Sequence, residues 1–474
     1  MNFKALARNV SVAFFAQGVA MAVNIAVSLL VPKALGVEEY GYWQLFIFYA
    51  SYVGFGHLGL NDGVYLINGG TKRCDIDKKS VNSQMVLSFS FQIIIALAIL
   101  IMVYTGYVGP QRSFVITFTA IYMIIQNTAN YLGFLFQAMD ETRLYSWSCI
   151  IERIGFAVPM AVLLLCRVTS FQLYVIAYCF SSVLQLIYCL WHARDFLVSG
   201  LESPRAALAQ AMQSVRVGIK LMLANIASQL ILGVARFIID SVWGIETFGE
   251  LSLSLSLVNF FLAFISQASM VLFPALRQSD ANDQQRFFTT LRDSMSLLFP
   301  VIYVLYFPIC WFIGAWLPAY AASLVYFAYL MPVCVFDSKM DISCTTMFKV
   351  RREETTLFVI NVITTTVSAI GSAIGAYVLS SINIVIACAT IAIIARSVVS
   401  ETILAMRMTV SINIRATVGE LITTLLFILI ATLCGASLLG MVLYSMVYIL
   451  FAVLNKADYM QTISKIAGVV HSVR

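Results

Sequence analysis

Arginine inside an apolar run is the chemistry this sequence offers most plainly. Arg153 stands about nine residues into one hydrophobic segment and Arg396 about thirteen into another, which at about 1.5 Å per helical residue places both near the middle of a bilayer. A guanidinium at that depth is costly unless it meets water, a counter-ion or a substrate. Its planar fork can grip phosphate bidentately, so each arginine is a candidate for holding a phosphorylated ligand. The alternative is a structural ion pair, with Glu152 or Glu401 as the neutralising neighbour. A third arginine, Arg236, belongs to a polar stripe with Asn225, Gln229 and Asp240. At about 100° per residue their spacing keeps all four within about 60° of one helix face. Arg236 and Asp240 could simply neutralise each other, and the two amides could be interhelical glue.

Amides recur on other segments: Gln17 with Asn24, Gln126 with Asn130, and Asn259 with Gln267, each pair at helical spacing. Several helices would thus turn amides toward a common interior suited to sugar hydroxyls, although packing is the favoured explanation for any single one of them. His57 reads as a packed polar residue. The acids available to couple transport to an ion are Asp240, Glu152 and Glu401. The ten cysteines show no CxxC-type spacing. No nucleophile–base–orienter set, glycine-rich phosphate loop or exterior carboxylate pair is evident, so no cofactor, metal site or catalytic residue is expected.

The elements that must position these groups follow from composition. Over 474 residues, 61% are hydrophobic and 11% charged, with a mean hydropathy of +0.90. No soluble domain hides that much apolar surface. About fourteen segments of roughly 17 to 26 residues are long enough to span a bilayer. They begin near Val10, Tyr42, Ser83, Ser113, Leu144, Ser170, Val217, Leu251, Ser294, Ser323, Thr356, Asn383, Val418 and Ser437. The expected fold is an all-α polytopic membrane protein, since the alternating short strands of an outer-membrane barrel are missing. The first segment, Val10 to Val31, is longer than a signal-peptide core and is expected to stay in the protein.

Basic residues set the expected orientation. Lys72, Arg73, Lys78, Lys79, Arg143, Arg194, Arg205, Arg216, Arg277, Arg286, Arg292, Lys349, Arg351, Arg352, Arg407 and Arg415 fall on the side of the N-terminus, against Lys33, Arg112 and Arg167 opposite. Both termini are therefore expected to be cytoplasmic. The net charge of +6 is spread over many turns, which argues against a nucleic-acid partner.

The chain also looks duplicated. GVEEYG at Gly36–Gly41 returns as GIETFG at Gly244–Gly249, each in the break between two apolar segments, with glycines where a tight turn needs them. FQAMDETRLY from Phe136 returns as FKVRREETTLF from Phe348 at nearly the same offset. The expected organisation is an N-lobe, 1–216, ending in an interfacial linker helix that starts at Ser203 and Pro204; a C-lobe, 217–407; and a final pair of helices with a tail, 408–474. The two lobes would be parallel repeats of six helices, a design that binds substrate near the repeat interface.

LGVEEYGYWQL at Leu35–Leu45, LGLNDGVYLINGG at Leu58–Gly70, ARFIIDSVWGIETFGELSLS from Ala235 and LFPALRQ at Leu272–Gln278 together resemble segments of the Wzx-type polysaccharide flippases. These form part of the multidrug/oligosaccharidyl-lipid/polysaccharide (MOP) exporter superfamily, and the resemblance spans essentially the whole chain. It implies two six-helix lobes facing each other in a V, plus two C-terminal helices. It also implies transfer of an undecaprenyl diphosphate-linked oligosaccharide from the inner to the outer leaflet of the bacterial plasma membrane by alternating access. Arg153, Arg396 and Arg236 would then hold the diphosphate and the amides would meet the sugars. Expected partners are the lipid-linked oligosaccharide, membrane lipid and the polysaccharide polymerase machinery, with the chain itself a monomer.

The chain departs from the family in having no basic residue near the inner end of the second segment before Lys72. It also lacks the first-segment acid of the multidrug exporters, where Gln17 and Asn24 stand instead. Drug-cation antiport is thus the second reading, and a membrane polysaccharide polymerase or ligase, which would need a long exterior loop, the third.

Overall fold

In the computed structural model the described residues are 3–106, 108–278 and 280–456, and the described side chains exclude those of 3–17, 264 and 266–278. Among them there is no strand. The chain divides into two compact units, 1–226 and 227–474, so the dividing point lies inside one helix.

Unit 1 begins with α1 (Phe3–Leu35), followed by α2 (Val37–Ala50), α3 (Leu60–Asn68), α4 (Lys78–Thr105), α5 (Pro110–Ala138), α6 (Thr142–Leu165), α7 (Phe171–His192), the short α8 (Arg194–Leu197) and the first part of α9 (Pro204–Trp243). Unit 2 continues α9 into α10 (Ile245–Gln278), α11 (Ala281–Leu298), α12 (Tyr306–Trp316), α13 (Ala321–Lys339), α14 (Thr346–Val350), α15 (Glu354–Ala373), α16 (Ile382–Arg407), α17 (Ile414–Cys434) and α18 (Leu438–Leu454). A 3-10 stretch joins α11 to α12, and a π-helical turn, Met340–Thr345, joins α13 to α14.

Eleven helical rods among the described residues are long and apolar enough to cross a membrane. The three other predicted segments are the interrupted α2–α3, α5, and the 17-residue α18. Large apolar side chains cover the outside of the rods: Leu433 and Leu165 are more than 80% exposed. That exterior is insoluble in water and matched to lipid tails.

The repeat is visible in local geometry. Gly36 and Gly244 stand alone between helices with φ of 76° and 85°, a left-handed conformation that a side chain disfavours. The second glycine of each hexapeptide does not serve the turn. Gly41 and Gly249 lie inside α2 and α10, because each helix restarts directly after the first glycine. The other echo is reproduced bond for bond. Glu141 N donates to Phe136 O at 2.8 Å, and Glu353 N to Phe348 O at 2.8 Å; Asp140 and Arg352 have φ of 61° and 58°.

Two expectations need correction. The stretch after Ser203 is no separate interfacial helix. Ser203 Oγ does accept from Ala206 N as a cap, but the helix then runs unbroken for 40 residues through the seventh apolar segment, there being no proline or glycine pair to stop it. The second segment, expected as one span, is broken over Ser51–Gly59. Gly54, Gly56 and Gly59 lie in this stretch, Leu58 and Gly59 adopt φ of 50° and 82°, and the helix resumes at Leu60. A side chain takes up a freed backbone group, Asn127 Nδ2 donating to Val53 O at 2.8 Å, while Asn61 Nδ2 ties the resumed helix to α5 through the Asn127 carbonyl at 3.0 Å. That is how broken helices are tolerated at membrane depth.

Aromatic contacts hold each unit's interior. In unit 1, Trp43 stacks on Phe156 at 5.7 Å among Phe46, Tyr174 and Tyr178. In unit 2, Tyr303 stacks on Phe427 at 4.5 Å beside Tyr444, fastening α17 and α18 to the rest of the unit.

The arginine-rich end of unit 1 is closed by one residue. Arg73, after α3, bonds Glu141, before α6, at 2.7 Å and Asp195, on α8, at 2.6 Å, and also reaches the His192 carbonyl. Lys78 adds a second pairing to Asp195 at 2.8 Å. The Arg73 hydrogen bond, joined by Lys78, holds the Asp195 carboxyl well below the usual carboxylate range. A depressed carboxylate contributes stability above its unfolded pKa of about 3.9 and loses it as pH falls toward the folded value. The thermal stability of wild type should therefore exceed that of Arg73→Gln at neutral pH, and the gap should shrink as the pH is lowered from about 5 to about 3. A constant gap in a thermal-shift series would contradict this.

Candidate functional site

The polar interior of unit 2 is built on α13, α15, α16 and α17. Alanine, serine and glycine let these helices approach closely, as when Ser368 Oγ of α15 donates to Ile231 O of α9 at 2.7 Å. Arg396, on α16 and only 4% exposed, bonds Asp337 of α13, donates to Ser228 Oγ of α9 at 2.7 Å and approaches Asn361 Oδ1 of α15 at 3.5 Å. The ion pair expected for Arg396 exists, but its partner is Asp337 and not Glu401. Five residues on a helix turn through about 140° beyond a full circle, which directs Glu401 to another neighbour. Glu401 Oε1 instead lies 2.9 Å from Lys339 Nζ, which also meets Glu420 Oε2 at 2.7 Å and Ser296 Oγ at 2.9 Å. Two ionic clusters therefore share α13 and α16, at Asp337–Arg396 and at Lys339–Glu401–Glu420.

In unit 1 the charges are fewer. Arg153, on α6, is half-buried beside buried Glu152, with Tyr122, Tyr178 and Cys149 as its further polar neighbours. Tyr122 and Tyr178 are in ring contact, with centroids 5.6 Å apart. On α3, Asp62 sits in the first turn after the break, half-buried, and no basic side chain is paired with it among the described residues.

A family model described as "Polysaccharide biosynthesis protein" matches residues 6–280. The chain belongs to this polysaccharide biosynthesis protein family. Two solved structures share its fold. The lipid II flippase MurJ in an inward closed conformation is 11% identical with a TM-score of 0.65, covering 95% of this chain and 99% of that one. An inward-facing multidrug resistance MATE family transporter of the MOP superfamily is 12% identical with a TM-score of 0.62, covering 85% and 97%. At such identities the likeness establishes fold alone. No curated protein sequence matches the chain. It is thus a multi-pass membrane protein of the polysaccharide biosynthesis family with a transporter fold.

The other candidate residues of this family member differ in burial. Asn24, Asn225, Gln229 and Asn259 are exposed on their helices, while Gln126 is buried and donates to Asn130 Oδ1 at 3.1 Å on its own helix. The side chains of Gln17 and Gln267 lie outside the described ones. The α9 stripe changes character along its length: Asn225 and Gln229 are exposed, Arg236 half-buried and Asp240 buried. Arg236 donates to Ser252 Oγ at 3.0 Å and lies over the Phe248 ring at 4.9 Å. Sequence reasoning missed Lys339, Asp337, Glu420, Asp62 and the Asn61–Asn127 pair. The signal was there for α13, where FDSKMD puts Asp337, Lys339 and Asp341 in the middle of an apolar run.

Proposed function

We propose that the chain is a flippase that carries undecaprenyl diphosphate-linked oligosaccharide repeat units from the inner to the outer leaflet of a bacterial plasma membrane, for surface polysaccharide synthesis, by alternating access. The observation that carries this reading is the polysaccharide biosynthesis match over residues 6–280, on a fold that a lipid II flippase also uses. The physical need is consistent with it. A sugar head group cannot enter about 30 Å of hydrocarbon without losing its water, so it needs polar groups at membrane depth.

Of the three arginines we assign the diphosphate contact to Arg153 and Arg236, which keep exposed surface. Arg396, committed to Asp337, Ser228 and Asn361, acts as a positioning residue. Both termini are assigned to the cytoplasm on the distribution of basic residues.

Deleting the gene in its host tests the function. Complete lipid-linked repeat units should accumulate on the cytoplasmic leaflet while surface polysaccharide disappears; normal polysaccharide with altered drug tolerance would move the chain to drug export. In the same strain, wild type should restore export, whereas Arg153→Gln at equal protein level should restore less than about a tenth of it. Arg153→Lys should rescue poorly, since a point charge does not reproduce a bidentate fork. Full complementation by Arg153→Gln would remove the diphosphate role from this arginine.

A further inference from the structure

The buried charges around Lys339 do not cancel. Its ammonium serves two carboxylates, Glu401 at 2.9 Å and Glu420 at 2.7 Å, and the three side chains expose 4% or less of their surface. The neighbouring charges are already committed. Arg396 is held by Asp337, Arg292 of α11 is held by Asp293, and Arg407 at the end of α16 is held by Glu353. Tyr303 and Cys344 are the neutral titratable groups that sense the two acids. Asp341 follows on the π-helical turn, and Arg415 stands at the start of α17. With both acids ionised, the cluster buries one net negative charge, which a low-dielectric interior penalises heavily. Glu420 Oε1 is moreover buried with no hydrogen-bond partner among the described residues.

We infer that Lys339, Glu401 and Glu420 form a proton-binding site that holds one exchangeable proton, and that its exchange is linked to transport. Only the second clause rests on the flippase reading. In the exchange one proton from water binds a carboxylate oxygen of Glu401 or Glu420, taking the cluster from one net negative charge to none, and it returns to water on release. The site is nearly closed, because Lys339 and Glu420 have no exposed surface and Glu401 exposes only 4% of its side chain. Parting of α17 from α13 and α16 would open it to water. The π-helical turn Met340–Thr345, directly after Lys339, is the kind of irregularity that marks functional sites inside helices. Such an arrangement ties proton occupancy to a rearrangement within unit 2.

The test is pH-difference infrared spectroscopy of the purified full chain in lipid nanodiscs, in water and in deuterated water, for wild type, Glu420→Gln and Glu401→Gln. The expected result is one deuterium-sensitive carboxylic-acid band that titrates between about pH 5 and pH 9 in wild type and is lost in both variants. No titrating band, or a band that survives in both, would overturn the proposal. Should either variant fail to fold, Ser296→Ala serves instead, since removing a hydroxyl that touches the triad should shift the band and an unrelated carboxyl would not move. The link to transport is read separately. Export by wild type should respond to pH by up to about tenfold per unit and export by Glu420→Gln by less than about twofold; identical profiles would overturn the link. The infrared readout needs no substrate, so failure of the proton site and failure of the flippase reading give different results.

Discussion

Lys339→Met should be among the most damaging single substitutions in this protein, whereas Glu420→Gln should be mild. Lys339 has no exposed surface and is the one cation within bonding distance of both Glu401 and Glu420 among the described residues. Removing it leaves two carboxylates buried without compensation, and breaking a buried pair from one side costs about 3–5 kcal/mol. Removing Glu420 instead leaves Lys339 paired with Glu401, a neutral arrangement that loses only one charge-assisted bond, about 1.5–3 kcal/mol before relaxation. The ordering follows from the count of charges and not from the number of contacts.

Neutralising all three, as Lys339→Met with Glu401→Gln and Glu420→Gln, should recover most of the stability lost in Lys339→Met, because no buried charge is then left unpaired. Thermal unfolding in detergent and the amount of protein in the membrane both measure this. Equal damage from Lys339→Met and Glu420→Gln would show that the triad is not held by its charge balance.

The membrane architecture was legible in the sequence because hydropathy contrast is a local property. Each rod is a run of apolar residues bounded by polar ones, and the Gly36 and Gly244 turns announce themselves within a few positions. The repeat was legible for the same reason, its turns at Glu141 and Glu353 being encoded by the residues that form them. What was not legible is pairing at a distance. Lys339 meets Glu420 across 81 positions and Arg396 meets Asp337 across 59, so neighbours in sequence, such as Glu401 for Arg396, were the wrong candidates. The break at Ser51–Gly59 was hidden differently. Its residues are apolar enough to continue a span on hydropathy, and only the cluster Gly54, Gly56 and Gly59 signals that the helix stops. Exposure was also beyond the sequence, since periodicity gives a face but not what that face meets, as the exposed Asn225 and the buried Asp240 show.

The resumed half-helix α3 is held against α9 by backbone, and that contact should tolerate no side chain. Gly59 and Gly63 on one side face Ser214 and Gly218 on the other, a small residue at every fourth position of both, which allows helices in a membrane to touch main chain to main chain. A Cβ added to Gly63 would lie 1.9 Å from the Ser214 carbonyl oxygen, and one added to Gly218 would lie 2.0 Å from the Gly59 carbonyl oxygen and 2.3 Å from Gly63 N. Backbone atoms have no rotamer to escape into, so the helices would have to separate. Overpacking of this kind costs about 1–3 kcal/mol for a single methyl and more for a branched side chain.

Gly63→Ala should therefore lower the melting temperature clearly, and Gly63→Leu or Gly218→Val should abolish folded protein. Gly109→Ala, where a Cβ meets nothing within 4 Å, should leave stability unchanged. The crossing also sets the position of Asn61, whose bond to the Asn127 carbonyl ties α3 to α5, the helix whose Asn127 side chain caps Val53 O in the break. Separation of α3 from α9 thus loosens the interruption itself. Hydrogen exchange on Gly63→Ala should then rise first in residues 51–68, ahead of α4 and α7. Unchanged melting and unchanged exchange in Gly63→Ala would mean that the two helices are not in backbone contact.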